Sequence, residues 1–204
     1  MSASSTIIEE IDALRKSGLA SLAMFYCDFR EDQKKDRRGL LSSMFVQLCL
    51  QSDSYHGILY KFYLEHGNGS RQPTDDAILR CLKDIVELPG QAPIFLIVDA
   101  LDECPNTSAL ASSRKKVLQI LKELINLQVQ NLRICVTSRP ESDIKAVLEP
   151  LSFCSVSLHD EIGQKEDIKN YIKSIVGTHE NMRRWKQEHK ELVINVLTER
   201  ADGM

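Results

Sequence analysis

Residues 93–104, Pro-Ile-Phe-Leu-Ile-Val-Asp-Ala-Leu-Asp-Glu-Cys, constrain this chain more than any other stretch. The apolar run Ile94 to Val98 leads directly into Asp99, and Asp102 and Glu103 follow within a turn's length. An unbroken apolar run of strand length predicts a strand covered on both faces, as inside a parallel sheet. Carboxylates just past such a strand stand where open α/β sheets bind ligands, outside the carboxyl ends of the strands. Nucleotide hydrolases use acids in that position: the first holds Mg²⁺ through water, and a later one orients or deprotonates the attacking water. The plainer reading is a strand-end Asp that only caps the next helix. Three acids in D-x-x-D-E order argue beyond it, because crowded carboxylates repel unless a cation or a water network compensates. The sequence contains no G-x-x-x-x-G-K-[ST] loop to cradle phosphates.

A second strand-end signal lies one strand–helix unit later. The run Arg133 to Thr137 (Arg-Ile-Cys-Val-Thr) predicts a short buried strand, and Ser138-Arg139-Pro140-Glu141 follows it. If the two strands are neighbours, Arg139 lies beside Asp99 and can offer a γ-phosphate its planar, permanently charged fork. The plainer role for Arg139 is a salt bridge to Glu141 or Asp143.

Around these motifs, strands and helices alternate, which predicts a parallel sheet with helices on both faces. Ser4 to Lys16 is predicted helical, with Ile7, Ile8, Ile11 and Leu14 on one face. Leu19 to Phe29 is a predicted strand, and Leu40, Leu41, Met44, Phe45 and Leu48 recur at helical spacing after it. Further helices are expected over Tyr55 to Glu65 and over Asp75 to Glu87, the latter with Thr74 as N-cap. The amphipathic run through Val117, Leu121 and Ile125 predicts another. Phe153 to Leu158 is a predicted last strand, followed by helices over Glu166 to Val176 and roughly Gln187 to Glu199.

At 204 residues the chain suffices for one sizeable domain, with room for a small appendage. A formal charge of −3 gives no electrostatic reason to expect nucleic acid or an anionic membrane as partner. The longest apolar stretch is far short of a membrane span. Six cysteines, at 27, 49, 81, 104, 135 and 154, are dispersed without a C-x-x-C pair, which suits reduced buried thiols in a cytoplasmic protein. The basic run Lys34-Lys35-Asp36-Arg37-Arg38 is interleaved with acids and reads as a solvated loop. The five histidines show no ligand spacing.

The string Ile-Val-Asp-Ala-Leu-Asp-Glu-Cys (97–104), followed by Thr-Ser-Arg-Pro (137–140), resembles the NACHT-type signal-transduction (STAND) P-loop NTPases. It is most similar to the fungal forms grouped with nephrocystin-type N-terminal domains. The opening Ser-Ser-Thr-Ile-Ile-Glu-Glu, the Phe-Tyr-Cys-Asp-Phe strand and the closing Ala-Asp-Gly-Met extend the likeness over nearly the whole chain. The resemblance implies a three-layer α/β, parallel-sheet P-loop NTPase-like core over residues 1–160, with a helical extension over 161–204. It implies Asp99 as the Walker B magnesium acid and Asp102 and Glu103 as further acids supporting hydrolysis. Arg139 is implied as the sensor of the γ-phosphate. The implied cofactors are Mg²⁺ and ATP or GTP.

In that family the opening helix directly follows the Walker A loop, so Met1 falls where the loop's Ser or Thr stands. A chain truncated there lacks the first strand, whose place is between the strands at 133–137 and 153–158. Unpaired buried backbone groups cost about 1–3 kcal/mol each, against a typical domain stability of about 5–15 kcal/mol. The chain alone is therefore expected to be marginally stable, poor in nucleotide affinity and unable to hydrolyse nucleotide by itself. The implied function is the nucleotide-binding switch module of a signalling NTPase, followed by C-terminal repeat domains and capable of homo-oligomerising. The alternative is a non-catalytic regulatory fragment that pairs with full-length relatives. A metal-dependent hydrolase using the acid cluster directly is a third reading, though no His completes a two-metal site.

Overall fold

Burial on both faces puts Ile94–Asp99 (β2) at the centre of a parallel sheet, between Ser21–Tyr26 (β1) and Leu132–Val136 (β3). The computed structural model describes residues 3–31, 36–106, 112–157 and 162–200. Ser21 pairs with Ile94 and Tyr26 with Asp99, while Ile94 pairs with Leu132 and Val98 with Val136. All three strands therefore end at one rim, and the acids after β2 sit on it.

Side-chain alternation divides the core into two layers. Ala23, Phe25, Leu96 and Val98 point into the larger one, with Ile134 and Val136 half-buried against it. There they meet Arg37–Cys49 (α2), Asp53–Glu65 (α3), Asp75–Val86 (α4) and Ser113–Asn126 (α5), which bring Leu41, Met44, Leu82, Ile85 and Leu121. Leu22 and Ile97 point the other way, onto Ile11 of Ala3–Lys16 (α1), with Met24, Phe95 and Cys135 only half-buried. The result is three α/β/α layers, thick on one face and thin on the other.

Local chemistry starts the helices as expected. Thr74 Oγ1 accepts from the Ala77 N–H at 3.2 Å, and Asp75 and Asp76 occupy the first turn of α4. Asp36 caps α2 in the same way, accepting from the Gly39 N–H at 2.8 Å. The expected basic loop therefore divides: Lys34 and Lys35 lie outside the described residues, while Arg37 and Arg38 begin α2 and pair with Asp76 and Asp75.

The outer edge of β1 is closed by side chains. The Leu22 N–H donates to Gln51 Oε1 at 2.9 Å, and Gln51 Nε2 returns a bond to the Leu22 carbonyl at 2.6 Å. Gln47 does the same for Met24, at 3.0 and 2.7 Å. Gln47 stands in the last turn of α2 and Gln51 just past its end, four residues on, so the end of one helix supplies two amides that mimic a neighbouring strand. Among the described residues no strand pairs with the outer edge of β3.

The chain divides into two compact units, Met1–Ser152 and Phe153–Met204. In the first, Ser142–Leu148 (α6) follows β3. The second holds Ile162–Thr178 (α7), Glu180–Arg183 (α8) and Gln187–Arg200 (α9), with α7 packed on α9. The strand expected over Phe153 to Leu158 is not found: residues 153–157 take no regular structure, and Leu158 lies outside the described residues. Phe153 and Val156 are exposed. An extended segment without a paired neighbour has no partners for its backbone groups, and apolar composition does not supply them. Cys154 is likewise exposed rather than buried, and Cys135 is intermediate; the other four thiols are buried.

Candidate active site at the carboxyl ends of the strands

The chain leaves β2 by a sharp turn. Ala100 adopts φ 54° and ψ 47°, a left-handed conformation that costs a non-glycine residue about 1–2 kcal/mol. It feeds the 3₁₀ turn Leu101–Glu103, which carries Asp102 and Glu103. Strained backbone persists only where its surroundings over-determine it, and here they do. Leu101 is wholly buried, and its N–H donates to the Thr137 carbonyl at 3.0 Å. The Ala100 N–H donates to Thr137 Oγ1 at 3.0 Å, and that hydroxyl donates in turn to Asp99 Oδ1. Thr137 thus fixes both the strand-end acid and the turn behind it.

Two residues on, the Arg139 N–H donates to Asp102 Oδ1 at 3.0 Å, and its Nε lies 3.4 Å from Asp102 Oδ2. Asp102 keeps 12% of its side chain exposed and Arg139 keeps 82%, so the guanidinium points into solvent from an anchored base. Asp99, Asp102, Glu103 and Arg139 therefore gather at one rim. The plainer alternative for Arg139, an ion pair with Glu141 or Asp143, is not what forms: its partner is Asp102. Those two acids face Arg114 instead.

Arg114 had not stood out in the sequence. Buried in the first turn of α5, it donates from Nη2 to the Asp102 carbonyl and from Nε to the Cys104 carbonyl at 3.0 Å. Its Nη1 lies 3.3 Å from Asp143 Oδ1 and 3.9 Å from Glu141 Oε2. One side chain thus clamps the acid turn to the start of α6. The available signal was its position, since a cation in a helix's first turn opposes the dipole and needs another reason to be there. Thr137 was part of a recognised motif, but its hold on Asp99 depends on a contact 38 residues away in sequence.

Cys27, the first residue after β1, donates its N–H to the Asp99 carbonyl at 3.0 Å. Its Sγ lies 3.2 Å from that of Cys104, and both are buried. A hydrogen bond from Cys27, together with the Arg114 charge, holds the Cys104 thiol below its ordinary pKa against the opposing effect of burial. The same bond and burial raise the Cys27 thiol.

Among the described residues no group of three or more His, Cys, Asp and Glu side chains forms a metal cage. Magnesium in nucleotide sites needs only one or two carboxylates, the rest of its shell being water and phosphate oxygens. Asp99, half-buried at a strand end with one oxygen held by Thr137, fits that limited demand. A cavity of about 400 Å³ lies elsewhere, lined by Phe62, Tyr63, His66 and Arg71. It adjoins none of the rim acids. Among the described residues, no helix is long and apolar enough to cross a membrane.

The family profile described as "Nephrocystin 3, N-terminal" matches residues 2–139, spanning α1, the whole sheet, the acid turn and Arg139. No curated protein and no solved structure matches the chain. With that profile covering well over half its length, the chain belongs to the nephrocystin 3 N-terminal family.

Proposed function

We propose that this chain is the nucleotide-binding switch module of a NACHT-type signalling NTPase, acting on ATP or GTP with Mg²⁺. One observation carries the reading. An acid turn held in strained geometry meets an anchored, outward-pointing arginine at the carboxyl rim of a parallel sheet, where such folds bind ligands. Asp99 would hold the cation, with Thr137 fixing the carboxylate's orientation. When bound, magnesium neutralises charge developing on the phosphates. Glu103 and Asp102 orient the attacking water. Arg139 exchanges Asp102 for the γ-phosphate, so loss of that phosphate returns the ion pair and resets the rim.

The reading requires a phosphate cradle from outside these 204 residues, since their sequence holds none. Among the described residues no strand pairs with the outer edge of β3, and the strand leading into such a cradle would pair there. Repeat domains and self-association belong to the same proposal, as the output side of a switch. The test is nucleotide hydrolysis by the protein expressed from its full reading frame, beside Asp99→Asn. Loss of about 100-fold or more in kcat is expected, the scale on which charge-stabilising groups act. Equal rates for the two proteins would remove Asp99 from the chemistry.

A non-catalytic regulatory fragment is the second reading. Both oxygens of Asp102 already face Arg139, and an unpaired β3 edge suits capture of a strand from a full-length relative. Hydrolysis absent from the full-frame protein, with heterodimers formed, would favour it.

A further inference from the structure

Behind the acid turn, two thiols with no part in the nucleotide reading face each other. Cys27 and Cys104 are 77 residues apart in sequence, yet their sulfurs lie 3.2 Å apart, with relative exposures of 4% and 0%. A disulfide bond is about 2.0 Å long, so closure asks the sulfurs to approach by little more than an ångström. Neither residue lies within a helix or strand: Cys27 follows β1 and Cys104 follows the 3₁₀ turn. Small rotations there need not break the sheet. The pair is also chemically unequal. Arg114, whose Nε is bonded to the Cys104 carbonyl, places a fixed positive charge beside that thiol. With the Arg114 guanidinium anchored beside it, Cys104 is placed as the attacking residue, and Cys27, in sulfur contact, as the resolving one.

We propose that Cys27 and Cys104 form a redox modification site, closed to an intramolecular disulfide by hydrogen peroxide. The Cys104 thiolate attacks one peroxide oxygen, the O–O bond breaks, and Cys104 becomes a sulfenic acid while the other oxygen leaves as water after protonation. Cys27 then gives up its proton and attacks the Cys104 sulfur, expelling the sulfenic oxygen as a second water. Two thiols lose two electrons in total, and one peroxide gains them. A small oxidant reaches the buried pair during local opening of residues 28–31 and 105–106, which lie outside helix and strand beside it. The product ties the end of β1 to the turn bearing Asp102 and Glu103. This inference stands without the nucleotide reading.

The test is mass spectrometry of the folded, reduced chain after brief exposure to stoichiometric hydrogen peroxide and alkylation of the remaining thiols. A Cys27–Cys104 cross-linked peptide is expected as the main intramolecular product, reversed by dithiothreitol. Closing so long a loop is expected to raise the melting midpoint by about 10 °C. Cys27→Ser and Cys104→Ser should each lose both effects, while the wild-type chain carries the test if either variant folds poorly. Recovery of both residues as unoxidised thiols, with oxidation confined to exposed Cys154 or half-buried Cys135, would overturn the proposal. So would a cross-link that lowers the melting midpoint.

Discussion

The two edges of the sheet are finished in opposite ways. On the β1 side, Gln47 and Gln51 bond both the N–H and the carbonyl of Met24 and Leu22, so the outward-facing backbone there meets side chains where a strand would otherwise lie. Exposed edges invite pairing with other chains, and folded proteins blunt them by many devices. On the β3 side the register leaves the backbone groups of Ile134 and Val136 facing outward, with no strand to meet them among the described residues. What is secured there is the carboxyl end, where Thr137 and Arg139 grip the acid turn and Arg114 clamps it from behind. Side chains close the outer edge of β1, while the outer edge of β3 meets no strand among the described residues and only its carboxyl end is held.

The largest effect is expected from breaking the clamp. Arg114→Ala leaves two carbonyls of the acid turn without their guanidinium partner, at about 1–3 kcal/mol each, and adds the loss of a buried side chain and of the pair with half-exposed Asp143. Urea denaturation measures it, and a loss below about 1 kcal/mol would mean the turn holds its shape without Arg114. Next comes the seal. Gln47→Ala with Gln51→Ala unmakes four hydrogen bonds to β1, at about 1–3 kcal/mol for each residue left unpaired. Size-exclusion chromatography should show self-association absent from the parent if the glutamines guard that edge.

Legibility in the sequence follows the same divide between local and distant causes. The strand ending at Asp99 was readable because burial on both faces leaves an unbroken apolar run. The helix at 75–86 announced itself by its cap and first-turn acids. Leu19 to Phe29 was read too broadly for β1: Leu19 and Phe29 are more than half exposed, and composition does not mark where pairing stops. The strand expected from Phe153 failed over residues 153–157 for the complementary reason, an apolar run that pairs with no strand among the described residues. At the site, Asp99, Asp102, Glu103 and Arg139 were visible as motif residues. The partner of Arg139 was not, because it is chosen across 37 positions of intervening chain. Nor did local pattern reveal that Gln47 and Gln51 act on β1.

The smallest effect concerns the turn that starts the site. Ala100→Gly removes the side-chain penalty of the left-handed backbone but gives the unfolded chain more freedom, so a gain of about 0.5 kcal/mol is expected in thermal melting. A loss above about 1 kcal/mol would mean the Ala100 methyl packs in a way that outweighs the strain.

Native-state hydrogen exchange, resolved by residue, compares the two edges most directly. In the 204-residue chain, the Leu22 and Met24 amides should exchange on the order of 100-fold more slowly than those of Ile134 and Val136 once intrinsic rates are removed. Equal or stronger protection of Ile134 and Val136 would mean the β3 edge is already covered. The account of a half-finished rim awaiting a strand would then be contradicted.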